Sequence, residues 1–143
     1  MPPSPMTVGQ LARRTGMTPR SIRRFEGFGL IYSVGRSPAN YRLFDESALW
    51  CAEVIRKLRL LGLTVREIRQ LAALYLDRQD ESVGRLLAEQ LVTVRRRINA
   101  RAAELEEVRD RLDVFERSHA AALAGARPIS SWAADPRRVA DRA

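Results

Sequence analysis

The chain has 143 residues with 45% hydrophobic and 29% charged side chains and a formal net charge of +8, a size and composition that fit one modest folded domain plus an accessory element. One cysteine and one histidine exclude an intramolecular disulfide, a thiolate-rich metal site and most imidazole-based catalysis. No run approaches the roughly 18 apolar residues of a membrane span, and Met1-Pro2-Pro3-Ser4-Pro5 lacks the parts of a secretory signal, so the expected location is the cytoplasm with no membrane partner.

Helix signals come early and close together. Thr7-x-x-Gln10 is a capping-box pattern and predicts a short helix over residues 8–14, which Gly16 can end. Thr18-Pro19 reads as an N-cap followed by proline at the first helical position. The second helix should reach Phe25 or Glu26, with Gly27 and Gly29 closing it. Two short helices joined at Thr15-Gly16-Met17 form a helix-turn-helix candidate. Residues 30–33 and 41–44 are rich in β-branched and aromatic side chains and flank a polar loop with Gly35, Pro38 and Asn40, which predicts a β-hairpin wing. Asp45 caps a third predicted helix over residues 46–61, and Thr64-x-x-Glu67 opens a fourth that runs to about Leu76.

No proline interrupts residues 80–118. Leu87, Leu91, Val94, Ile98, Leu105, Val108, Leu112 and Phe115 recur there at spacings of three and four, with Arg101 in one core position of the heptad. A helix of that length would span roughly 55–60 Å. The head is too small to bury the whole stripe, so these residues are expected to pair with a second copy, with a helix folded back on its own head as the alternative. The organisation is therefore a disordered N-terminus over 1–6, a winged-helix DNA-binding domain over 7–76, a coiled-coil dimerisation helix over 80–118 and a tail over 119–143 that could hold a regulatory segment. The fold class is mainly α with a small β-hairpin.

The charge is uneven. Residues 1–60 hold ten basic and four acidic side chains, whereas the rest hold fifteen and thirteen. A basic head suits a polyanion. Arg20, Arg23 and Arg24 share one face of the second helix, and Ile22 and Phe25 point the other way. An arginine front can fork onto guanine edges in the major groove or clamp phosphates, and Ser21 in the first turn can add a contact. Tyr41 and Arg42 on the return strand of the wing suit a flanking minor groove or phosphate, with core packing an equal alternative for Tyr41. Arg56 and Arg59, with Lys57, crowd the end of the third helix, where they can hold phosphates or simply stabilise the helix C-terminus. Cys51 shares a stripe with Ala48, Ala52, Ile55 and Leu58 and reads as a small buried hydrophobe. His119 extends the heptad stripe as a helix-end residue, and Trp132 could anchor the tail or line a ligand site. No catalytic constellation is visible, so an enzyme is not expected. A coiled-coil scaffold whose basic head is incidental is the alternative; unlike a regulator, it would show no preference for any DNA sequence.

Residues 7–31, from Thr7-Val8-Gly9-Gln10-Leu11-Ala12 through Thr18-Pro19-Arg20-Ser21-Ile22-Arg23-Arg24-Phe25 to Gly29-Leu30-Ile31, resemble the opening of the MerR family of regulators. Asn40-Tyr41-Arg42-Leu43-Phe44 looks like its wing, and Val54-Ile55-Arg56-Lys57-Leu58 through Gly62-Leu63-Thr64-Val65-Arg66-Glu67-Ile68 looks like its second helix-turn-helix. The resemblance implies an antiparallel coiled-coil homodimer on a twofold site in double-stranded promoter DNA, which is bent and untwisted so that RNA polymerase can use it. Arg23 matches the family's recognition-helix arginine, and Tyr41 and Arg42 match its wing contacts. Arg24 stands where an aromatic residue is common, and Ala39 where glycine is usual. In an antiparallel pair, apolar burial favours the register that stacks Leu87 on Leu112 of the partner subunit. No cofactor is expected, and no effector is assigned. The cysteines of metal-sensing members are missing, the cysteine position of aldehyde-sensing members is Lys57, and the last 25 or so residues are too few for an appended drug-binding domain.

Overall fold

Side-chain caps open each of the first four helices. In the computed structural model, which describes residues 4–126 and 136–139, the Gln10 N–H donates to Thr7 Oγ1 at 3.3 Å and the Thr7 N–H donates to Gln10 Oε1 at 2.8 Å, starting α1 (Val8–Thr15). Thr18 accepts from the Ser21 N–H at 3.1 Å and Pro19 opens α2 (Pro19–Gly27). Asp45 accepts from the Ala48 N–H at 3.1 Å at the start of α3 (Glu46–Leu60). Thr64 and Glu67 exchange bonds of 3.2 and 2.8 Å to open α4 (Val65–Leu76). Caps of this kind each contribute about 0.5–2 kcal/mol. α5 (Asp80–Ser118) is the long helix, followed by the short α6 (Ala120–Leu123) and a final turn, Pro136–Val139.

The small sheet corrects two expectations. Its three antiparallel strands, β1 (Met6–Thr7), β2 (Gly35–Arg36) and β3 (Arg42–Phe44), lie in the order β1-β3-β2. Met6, read from sequence as part of a disordered terminus, pairs with Phe44 and is buried. The first wing strand falls at Gly35–Arg36 and not in residues 30–33. The reason lies at the end of α2: Gly29, at φ +73°, and Leu30 donate back to the Glu26 and Phe25 carbonyls at 2.9 and 3.0 Å. That reversal, a Schellman motif, turns Ile31 into the core, fully buried. The apolar residues of this segment anchor it to the core and leave no strand.

Leu11, Ile22, Phe25, Ile31, Phe44 and Leu63 lie at the heart of the hydrophobic cluster of the head. The start of α5 also belongs to it. Val94 is buried, and Val83, Leu86 and Leu87 pack on its edge. Gln90, buried, donates from Nε2 to the Glu67 carbonyl at 3.1 Å. Leu87 and Val94 were expected in the dimer seam; Val94 is buried in the cluster of its own head, while Leu87 is half-buried at the edge of that cluster.

The chain divides into two units, residues 1–96 and 97–143. Within the second, Ile98, Leu105, Val108, Leu112 and Phe115 are all exposed, between 38% and 56%. Phe115 stacks on His119 at 4.1 Å, and His119 Nδ1 lies 3.0 Å from the Phe115 carbonyl. Trp132 lies outside the described residues.

Gly62 ends α3 in the same way that Gly29 ends α2. Gly62 and Leu63 donate to Arg59 and Leu58 at 3.0 and 3.2 Å, and Gly62 sits at φ +102°. A Cβ there would stand 3.2 Å from Val94 Cγ1. Gly62→Ala is expected to cost about 1–2 kcal/mol in urea unfolding, from left-handed backbone strain plus displacement of Val94. An unchanged midpoint would show that the turn relaxes freely.

Candidate nucleic-acid interface

α2 presents what the sequence leads one to expect. Ile22 and Phe25 are buried in the head, while Arg20, Arg23 and Arg24 are exposed. Arg20 and Arg23 meet no partner among the described residues, so their guanidinium groups are available to a polyanion. Arg24 lies over the Phe28 ring at 5.6 Å, and Arg69 of α4 lies closer, at 4.5 Å. Such contacts are worth about 0.5–1 kcal/mol at exposed sites. The arginine that departs from the usual aromatic is thus seated on an aromatic neighbour. Ser21 is half-buried, and its hydroxyl accepts from Thr18 Oγ1 at 3.0 Å, so it also serves the helix start.

The wing is a tight hairpin. Asn40 N–H donates to the Ser37 carbonyl at 2.8 Å with Pro38 between them, and Asn40 takes φ +67°. Asparagine tolerates that left-handed region better than most residues. The demand for a positive φ falls at Asn40, which leaves Ala39 unstrained. Arg36 Nη1 donates to the Asn40 carbonyl at 3.0 Å and holds the turn. Tyr41 is 64% exposed, which removes the core-packing alternative within this chain. Arg42 pairs with Glu26 of α2 through Nη1 and Oε1. This ion pair ties the wing to the recognition helix. Arg42 uses one of five donors in it and keeps others for a phosphate.

The third cluster is closer to the chain than expected. Arg56 lays its guanidinium 3.2–3.3 Å from where a Cβ on Gly16 would be, directly over the turn between α1 and α2. A side chain at Gly16 would press the Arg56 guanidinium aside and strain the backbone, which stands at φ +73°. Arg59 donates to the Leu63 carbonyl at 2.8 Å and closes the α3–α4 turn. Both are exposed at the surface of the head. Arg14 bridges α1 to α3 through Glu46 at 3.2 Å. Cys51 is half-buried; burial, and then the charge of Asp45, push its thiol up, so it stays protonated. Sequence reasoning missed the Glu26–Arg42 clasp and the Arg69 stack. Both join residues far apart in the chain, and no periodicity marks such pairs. Among the described residues no group of three metal-ligating side chains comes together, and no helix is long and apolar enough to cross a membrane.

A capped helix-turn-helix with free arginines on its second helix, flanked by a clasped β-hairpin, defines a winged-helix DNA-binding domain. Comparison with known proteins places it further. Residues 6–74 match the family described as MerR HTH family regulatory protein, and residues 53–115 match the one described as MerR, DNA binding. The HTH-type transcriptional regulator PA4778 of Pseudomonas aeruginosa is 37% identical over 75% of this chain and 80% of its own. The regulator CueR of Salmonella typhimurium is 29% identical over 75% and 76%. Among solved structures, PbrR691 from Ralstonia metallidurans, in complex with lead(II), shares 31% identity and a TM-score of 0.56, covering 73% of this chain and 84% of its own. HiNmlR, a MerR family regulator lacking the sensor domain and bound to promoter DNA, has a TM-score of 0.54 at 22% identity, covering 85% and 94%. The chain belongs to the MerR family. It is a DNA-binding transcriptional regulator and not an enzyme.

Proposed function

We propose that two copies of this chain pair through α5 in an antiparallel coiled coil, seat two recognition helices on a twofold promoter site and distort the duplex to control its use by RNA polymerase. The observation that carries this is the stripe Ile98, Leu105, Val108, Leu112 and Phe115, which one chain leaves exposed. Burying a leucine stabilises by about 1.5–3 kcal/mol, so a shared seam outweighs anything the exposed ion pairs Arg101–Glu104 and Arg111–Glu107 contribute. Arg20, Arg23, Arg24, Tyr41 and Arg42 supply the DNA contacts, Arg23 foremost, with Arg56 and Arg59 near the helix-turn-helix turns. The test combines light scattering with a circular-permutation bending assay. A mass of two chains and a bent duplex are expected, and Ile98→Asp with Leu105→Asp should give a monomer that binds poorly. A double variant that remains dimeric would contradict the seam.

The signal is not a thiolate-bound metal. The sequence holds one cysteine, so one chain cannot supply a Cys-rich soft-metal site. Protein purified without chelator is expected to carry no stoichiometric metal by elemental analysis. A stoichiometric soft metal that disappears in Cys51→Ser would overturn this.

A further inference from the structure

Between α3, α4 and the first turns of α5 the head forms an open apolar cavity of about 260 Å³. Leu30, Cys51, Leu71 and Leu87 line it, and Trp50 and Tyr75 pack on its rim with ring centroids 6.1 Å apart. Among the described residues, not one charged side chain lines it. The polar atoms its lining residues carry are neutral: two tyrosine hydroxyls, from Tyr32 and Tyr75, the Trp50 indole and the Cys51 thiol. Trp50, Tyr75 and Tyr32 are each more than half exposed, an arrangement that leaves costly aromatic surface in water.

We infer that this cavity is a binding site for a small uncharged aromatic molecule of one or two rings. Its volume lies just below the roughly 300–1,000 Å³ of ligand pockets, and its walls are apolar with a few neutral polar groups. A charged ligand would lose its hydration with nothing to pair it. A helix from a partner, about 10–12 Å across, could lie over the rim but not fill the void. Apolar walls open to water gain when an apolar occupant displaces that water. The site has a consequence for regulation, because Val83 and Leu87 of α5 form one wall. An occupant therefore bears on how the start of α5 seats against α3 and α4. This gives the regulator reading an effector site and rests on that reading, but it is tested without DNA, so its failure leaves DNA binding standing.

The sequence has two tryptophans, so Trp132→Phe leaves Trp50 as the sole reporter in the full chain. Titration with the uncharged fluorophore N-phenyl-1-naphthylamine should quench Trp50 by energy transfer, saturating at one probe per chain. Ala72→Trp, also made as Ala72→Phe to keep the tryptophan count, fills the cavity and should raise the dissociation constant at least tenfold. Val54→Phe serves the same end should the Ala72 variants fail to fold by circular dichroism. The sulfonated analogue of the probe should bind at least tenfold more weakly. Non-saturable binding, equal affinity in the filled variants, or equal affinity for the sulfonate would overturn the proposal. So would probe binding that vanishes as protein concentration rises, since that would mean a second copy occupies the cavity.

Discussion

Phe44→Ala is expected to lower the unfolding free energy of the head by about 3–5 kcal/mol, the range for removing a buried aromatic ring. Phe44 is 1% exposed and sits on β3 with Met6 opposite it on β1. Its ring joins the sheet to the helices, so its loss opens a cavity at the base of the wing. Small domains have only about 5–15 kcal/mol in all, and the variant should be partly unfolded at 37 °C. Urea unfolding followed by circular dichroism measures it, with Tyr41→Ala as the exposed counterpart changing stability by about 0.5 kcal/mol or less. A loss below about 1 kcal/mol for Phe44→Ala would contradict the placement of this residue in the core.

Arg23→Ala is expected to weaken operator binding by about 1–3 kcal/mol, with dimer mass and thermal stability unchanged. Arg23 is exposed on α2 and meets no partner among the described residues, so no internal bond is lost on truncation. Arg23→Lys should recover little of that loss, because an ammonium cannot reproduce the guanidinium fork. Arg42→Ala differs in kind: it breaks the clasp on Glu26, whose Oε2 is already buried without a partner among the described residues. It should therefore affect stability as well as affinity. Fluorescence anisotropy at one fixed salt concentration separates these cases. Unchanged affinity in Arg23→Ala would remove this residue from the interface.

Where the sequence was legible, the reason is local. Thr7, Thr18, Asp45 and Thr64 announce their helices because a cap needs only its own next three residues. The arginine face of α2 follows from helical spacing alone. Residues 30–33 misled because apolar, β-branched composition marks burial as well as strand, and only the reversal at Gly29 decides which. Met6 was hidden because two residues carry no alternation to read; its strand exists by pairing with β3. The heptad stripe was read as one seam, although Leu87 and Val94 pack on the head. A stripe shows which face is buried and does not show against what. The Arg42–Glu26 clasp and the Arg56–Gly16 contact depend on tertiary proximity and left no signal in spacing.

The proposed reading of DNA sequence by a pair of chains is open to direct measurement. Selection of bound duplexes from a random-sequence pool, at two salt concentrations and with the stoichiometry of the winners measured, tests it directly. Enrichment of an inverted repeat bound by two chains is expected, with affinity falling steeply with salt while the preference persists. A pool that stays random at both salts, or one chain bound to a motif without twofold symmetry, would contradict it.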